Sequence, residues 1–362
     1  MQHTHESLYV PFRRIEYVGG PSTFRKNLKK FLDKRGFCYS NSPRKSRLIF
    51  FPVTYPEHTL KKIKKEGGKV IQRLDGVYYP SKHREEYVHL NKDLRNIYLH
   101  YADFVIFQSE NSRAQCFTML GEKSREQYEI IVNGVDKTIF YPNPTYMWTP
   151  KEEKIRFITT GTFRNKDMLE PIVETLDLLK DKINFELTVV GPIVNPALGM
   201  LLNREYVIHR EAKKLSDVAQ LLRENHVFLF TQQNPCCPNS VLEAISCGIP
   251  VVGFDSGAMS ELLFFSQDLL AYVSAELFKK YEDYDYARFA EKIVLVTEKY
   301  DFYRDRSLQY SHLYSFDECG EKYLNIFQRF LKDLDSESFP RRNILKNCMM
   351  KLLKRKGTNG DR

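Results

Sequence analysis

The chain has 362 residues, 42% hydrophobic and 28% charged, a globular balance that is too long for one compact core and unlike a disordered chain. Its net charge of +9 is uneven, because eight Lys/Arg against Glu337 and Asp361 between Ser336 and Arg362 leave the preceding body near neutral. No run of about 18 apolar residues appears, and Met1 to Glu6 lacks a basic-then-apolar pattern, so neither a membrane span nor a secretory leader is expected and a cytoplasmic setting is. The seven cysteines are an odd set without metal-ligand spacing, and the Cys236-Cys237 pair has no second pair to complete a zinc site. They read as reduced thiols.

In chain order, strand-like runs alternate with helix-like runs, the pattern of parallel sheets covered on both faces. Candidate strands in the first half are Arg47 to Phe51, Lys69 to Arg73 and Asp103 to Phe107, with Glu129 to Asp136 ending in an Asn-Gly turn. Candidate helices run from Ser22 to Lys34, Glu57 to Lys65, Glu85 to Tyr101 and Asn111 to Leu120. Tyr141 to Pro150 holds three prolines in ten residues and reads as a linker. Strands follow at Ile155 to Thr160, Phe185 to Val190, Tyr206 to His209, Val227 to Phe230 and Pro250 to Gly253. Helices fit Asp167 to Leu179, Leu215 to Arg223, Ser240 to Cys247 and Tyr286 to Lys299. The expected domains are 1–146 and 147–318, a helix over 319–335 returning to the first domain, and a basic tail over 336–362. Two doubly wound halves place a cleft at their C-terminal strand ends.

Several local patterns suit that cleft. Gly19-Gly20 before a Ser-started helix is a phosphate-compatible loop, and a plain strand-to-helix turn is its alternative. Asp75 ends a strand before Gly76, as a cleft carboxylate or as a turn cap. Arg164 and Lys166 follow a strand and a glycine, as an anion clamp or as a solvated basic turn. From Pro238 to Gly253 the chain reads as a polar turn, a short helix, a Gly stop and a buried strand. Pro238 has its φ pre-set, while Asn239 and Ser240 favour a helix start whose amides, through Val241, can hold an anion. Glu243, one turn further in, adds a carboxylate beside that anion. Among the histidines, His83, His89, His100, His209 and His226 have no spacing that suggests a triad or a metal site.

The motifs Gly19-Gly20-Pro21-Ser22-Thr23-Phe24, Gln72-Arg73-Leu74-Asp75-Gly76-Val77, Asn133-Gly134-Val135-Asp136, Gly161-Thr162-Phe163-Arg164-Asn165-Lys166 and the stretch from Pro238 to Gly253, in that order, resemble the retaining GT-B glycosyltransferases of family 4. Ala102 to Ile106 leading to Ser109, and Gly257 to Leu262, add to the likeness, which spans Tyr17 to Phe330. The resemblance implies an α/β fold of the GT-B type, with two Rossmann-like doubly wound domains facing across a cleft. It implies a hexosyl- or pentosyltransferase of polysaccharide biosynthesis that needs no metal or cofactor and takes a nucleotide-diphosphate sugar, UDP or GDP favoured. The acceptor implied is a hydroxyl of a glycan or a lipid-linked molecule, and no nucleic acid is expected.

By the same resemblance, Arg164 and Lys166 clamp the diphosphate and Glu243 holds the ribose. Gly19 and Gly20 lie against donor and acceptor, Asp75 stands near the anomeric centre, and His209 lines the base pocket. The family's first acid, eight positions before Glu243, is replaced here by Pro235, with Asn234 standing nearby where some relatives carry an acid. That departure keeps two alternatives open: a catalytically degenerate nucleotide-sugar-binding protein, or a GT-B sugar-nucleotide epimerase. After Phe339, Ile344, Leu345, Met349, Leu352 and Leu353 form an apolar stripe beside a cationic face. Such a segment suits peripheral contact with the inner face of a membrane, and a solubilising tail or a packed helix is the alternative.

Overall fold

The computed structural model describes residues 8–12, 20–143, 154–211, 214–274, 276–280 and 283–356, with side chains described up to Ser336 in the last segment. The first domain is a five-stranded parallel sheet: β1 (Leu8–Tyr9), β2 (Leu48–Pro52), β3 (Lys69–Leu74), β4 (Phe104–Phe107) and β5 (Tyr128–Ile130), in that spatial order. Tyr9 also bridges Ser40 in parallel on the side away from β2. The chain therefore leaves β1 outward through α1 (Gly20–Lys34) and returns inward to β2, making β1 a switch point.

α1 buries Phe24, Leu28, Phe31 and Leu32, a helical stripe facing Phe50 and the C-terminal helix. The helix expected over Glu85 to Tyr101 is broken into α3 (Pro80–His83), α4 (Glu86–Leu90) and α5 (Lys92–His100). Arg84 takes a positive φ of 47°, ending α3, and Asn91 turns its side chain onto the backbone N–H and C=O of Tyr78. Helices α2 (Glu57–Lys65) and α6 (Glu110–Leu120) complete the domain, and Ser109 Oγ caps α6 by accepting from Ser112 N–H.

The second sheet runs β11-β10-β9-β6-β7-β8, all parallel, from β6 (Ile155–Thr160), β7 (Phe185–Val190), β8 (Val207–Arg210), β9 (Val227–Phe230), β10 (Val251–Asp255) and β11 (Leu270–Tyr272). Strand order reverses between β6 and β9, so the loops after these two strands flank the switch point. Its helices are α7 (Glu170–Asp177), α8 (Leu215–Arg223), α9 (Asn239–Ser246), α10 (Met259–Leu262), α11 (Tyr286–Glu298) and α12 (Tyr300–Tyr310). α7 starts later than Asp167 because Pro171 occupies its first turn and a 3-10 turn over Lys166–Met168 precedes it.

Phe157, Val189, Leu229 and Phe254 pack from the sheet against Ile172, Leu176, Phe289 and Ile293, each burial contributing about 1.5–3 kcal/mol. Helix α13 (Phe316–Lys356) then crosses to the first domain. Its Tyr323 packs 5.0 Å from Phe24 and its Phe327 5.2 Å from Phe50 between ring centroids. The backbone of 336–356 continues this helix, while the side chains of the basic stripe lie outside the described residues. Among the described residues no helix is long and apolar enough to cross a membrane.

Candidate functional site

The C-terminal strand ends of the two sheets meet in one polar network. Arg73, at the end of β3, is 1% exposed, and its guanidinium donates to Asp75 Oδ1 and, at 2.7 Å, to Asn133 Oδ1. It also lies 4.0 Å from the Phe24 ring centroid, a cation–π contact between β3 and α1. Gln108, just after β4, donates to the same Asp75 oxygen at 2.8 Å. Asn133 Nδ2 then donates to Gln108 Oε1 at 2.7 Å and across the cleft to Asn239 Oδ1 at 2.9 Å. Burial raises the Asp75 carboxyl above its usual range, and Arg73 opposes that rise.

Two more contacts clamp the domains. Ser109 Oγ donates to Cys236 C=O at 2.6 Å, and Glu261 accepts the N–H groups of Glu110 and Asn111, each at 2.7 Å. A carboxylate of the second domain thus sits on the α6 N-terminus of the first, where the helix dipole favours negative charge.

Beside this network opens a cavity of about 580 Å³ between the domains. The second domain contributes Arg164, Lys166, Asp167 and Glu170 after β6, Asn195 after β7, Gln233 and Asn234 after β9, and Lys280 and Tyr284. The first contributes Tyr79, Ser81, Lys82 and Arg84. Among the described residues, five cations therefore face two carboxylates. Lys166 is tied to Glu170 at 3.2 Å, whereas the exposed Arg164 side chain makes no hydrogen bond or ion pair among the described residues. Asp167 accepts Gln233 N–H at 3.0 Å, and burial raises its carboxyl.

Asn234 has a positive φ of 50°, a region in which Asn is enriched. Its Nδ2 donates to Lys279 C=O at 3.0 Å, a bond that an ionised acid cannot make. Tyr79, stacked 4.6 Å from Phe278, reaches Asn234 from the other domain, and burial pushes its phenol up to about 12.

The sequence candidates thus divide. Arg164, Lys166 and Asn234 share the cation-rich cavity. Asn239 and Glu243 line a smaller cleft with Thr23 and Gly134. Gly20 faces this second group, since a Cβ there would lie 3.9 Å from Asn239 Nδ2, and Gly19 lies outside the described residues. Pro238 is the N-cap of α9, and its C=O already accepts the Val241 N–H at 3.2 Å, so Asn239 and Ser240 are the amides that precede this turn bond. Asp75 lines neither cavity and belongs to the network.

His209 lies exposed on β8, outside both linings, with Nε2 2.8 Å from Gly191 C=O. Gly191 packs against Gly161 so closely that a Cβ would stand 2.0 Å from its oxygen, and His209 thereby braces the root of the Arg164 loop. His226 is a core residue, held neutral by burial with its pKa near 3. Lys82 and Arg84 in the cavity lining, and Arg73, Gln108, Asn133 and Glu261 in the bonds between and beneath the domains, are site residues to which the sequence reading gave no role. Arg73 left one signal, a cation inside the apolar run Val70 to Leu74 that demands a buried partner.

Burial raises the Glu243 carboxyl to about 7. A folded-state pKa above the unfolded one means that the folded protein binds the proton more tightly, so this group's stabilisation is full below about pH 4.5 and is lost as pH rises through 7. The loss amounts to about 3 kcal/mol. Denaturant unfolding from pH 4.5 to 8 should show this slope in the wild type and its removal in Glu243→Gln, read as the difference between the two proteins.

A family model described as glycosyl transferases group 1 matches residues 154–294. No curated protein sequence matches the chain. Among solved structures, sucrose-phosphate synthase from Thermosynechococcus elongatus superposes with a TM-score of 0.61 at 13% identity, over 90% of this chain and 81% of that one. WaaG, a glycosyltransferase involved in lipopolysaccharide biosynthesis, gives 0.61 at 14% identity over 88% and 97%. Anabaena Alr3699/HepE, solved with UDP and glucose, gives 0.59 at 13% identity over 87% and 84%. At such identities these likenesses speak to the fold. The chain has the two-domain GT-B fold, and residues 154–294, which bear Arg164, Asn234 and Glu243, match the model of the group 1 glycosyl transferases.

Proposed function

We propose that this protein is a retaining, metal-independent glycosyltransferase of family 4 that moves a sugar from a nucleotide-diphosphate sugar to a hydroxyl. The observation that carries the reading is the interdomain cavity with Arg164 and Lys166 on the loop after β6, at the switch point of the second sheet. Cations there offset the charge that grows on the diphosphate as the sugar–phosphate bond breaks. UDP is the proposed carrier, supported by the Anabaena relative solved with UDP-glucose. The start of α9 and Glu243 would hold the nucleoside side, with neutral Glu243 able to donate to a ribose oxygen below its pKa of about 7.

In the proposed same-face displacement, the incoming hydroxyl gives its proton to the departing phosphate oxygen, so no protein base is required. Asp75 then positions the cleft through Arg73 and Asn133. A thermal-shift screen with UDP, GDP, ADP and their sugars tests the donor, since a ligand at 100 times its Kd stabilises by about 2.7 kcal/mol. UDP should raise the midpoint, and product analysis should find a new glycosidic bond with the donor's anomeric configuration. Binding without turnover would instead favour the degenerate binding protein, and a converted sugar nucleotide without a new bond the epimerase.

A further inference from the structure

The cavity carries more positive charge than a donor diphosphate needs, and the surplus lies on the opposite wall. Lys82 and Arg84 come from the first domain, and their side chains make no hydrogen bond or ion pair among the described residues. Both are exposed, so no packing requirement explains cations there. They are nevertheless held in place. Ser81 Oγ donates to Phe278 C=O of the second domain, and the neighbouring Tyr79 ring stacks 4.6 Å from Phe278.

Arg84 itself caps α3 at a positive φ of 47°, with its N–H bonded to Pro80 C=O at 2.7 Å. A non-glycine residue held in that region marks a position fixed by its surroundings. Among the described residues, two carboxylates line the cavity and leave this wall positive. Glu170 holds Lys166, and Asp167, which accepts the Gln233 N–H, is shared between Lys82 and Lys280.

Resting on the reading of the cleft as a nucleotide-sugar site, we propose that Lys82 and Arg84 bind a phosphoryl group on the acceptor, so that the acceptor is a phosphorylated rather than a neutral hydroxyl compound. The Arg84 fork suits two phosphate oxygens and the Lys82 ammonium supplies a point charge beside it. The donor diphosphate keeps Arg164 and Lys166, and the transferred sugar lies between the two anions. The phosphoryl group can belong to a free sugar phosphate or to a lipid-diphosphate-linked sugar.

The test uses inorganic phosphate as probe on the wild type and on Lys82→Ala/Arg84→Ala, with thermal shift read with and without saturating UDP. The wild type should show a saturable phosphate shift in the presence of UDP, and the double variant should bind phosphate about 10- to 100-fold more weakly. The UDP shift itself should be equal in the two proteins. Equal phosphate shifts, no wild-type phosphate shift, or loss of the UDP shift in the double variant would each overturn the assignment. If UDP shifts neither protein the nucleotide reading fails, while the titration without UDP still reads Lys82 and Arg84. Acceptor assays with glucose, glucose 6-phosphate and polyprenyl-diphosphate-linked N-acetylglucosamine then separate the sources. Activity confined to glucose, unchanged by the double substitution, also overturns the proposal.

Discussion

Arg164→Ala is expected to lower kcat/KM for sugar transfer about 100- to 1,000-fold, the loss that follows removal of one preorganised donor to transition-state charge. The side chain is exposed on the loop after β6, lines the interdomain cavity and makes no hydrogen bond or ion pair among the described residues. Its removal should therefore leave unfolding unchanged within about 0.5 kcal/mol. Lys166→Ala should cost less, about tenfold, because Glu170 already offsets part of its charge. Arg164→Lys should recover only part of the rate, since an ammonium cannot replace the bidentate fork. Initial rates with a UDP-sugar, paired with thermal melts, check this. An Arg164→Ala protein that turns over within threefold of the wild type would remove Arg164 from the phosphate clamp.

Much of the fold was legible because buried parallel strands are short apolar runs between polar segments. β6, β7 and β9 begin and end where Ile155–Thr160, Phe185–Val190 and Val227–Phe230 do in the sequence. The stretch after Tyr79 was not legible, since its periodicity is that of one helix. The interruptions come from the backbone at Arg84 and from a side-chain bond between Asn91 and Tyr78, thirteen residues away. β1 is two residues long, too short for any pattern, and α12 spreads Tyr300, Phe302, Tyr303 and Tyr310 around its axis. The switch at β1 depends on a single bridge to Ser40.

The site divides in the same way. Loops with glycine, proline and a charged residue at a strand end are local, so the segments at Arg164 and at Pro238 to Glu243 could be marked from sequence. Which of them share a wall is set by the packing of two domains. Arg73 meets Asn133 across 60 residues, and Asn133 meets Asn239 across 106. Lys82 and Arg84 look like solvated charges until Ser81 and Tyr79 are seen to dock their helix on Phe278. Asn at position 234 has a local reason in its bond to Lys279 C=O, which needs a donor.

Asp75→Ala should be the most destabilising of these changes. Arg73 is 1% exposed, so removing its carboxylate leaves a buried guanidinium with only neutral neighbours, Asn133, the Tyr323 hydroxyl and the Phe24 ring, among the described residues. Breaking a buried pair from one side costs about 3–5 kcal/mol. The Asp75 side chain keeps 19% of its surface exposed, which places the expected loss near the lower end, about 3 kcal/mol. For domains of this size that is a fall in Tm of about 6–12 °C. Asp75→Asn keeps an oxygen for Gln108 but removes the charge, and should fall between alanine and wild type. Arg73→Met combined with Asp75→Leu should recover part of the loss, because two apolar residues leave no unpaired ion. The melts also decide what Asp75 is for. If alanine at this position abolished transfer while the melt stayed at the wild-type midpoint, Asp75 would belong to the chemistry at the anomeric centre and Arg73 would merely orient it. If stability and activity fall together, and the double substitution restores both in part, Asp75 is the anchor that holds β3, Asn133 and the start of α9 in register across the cleft.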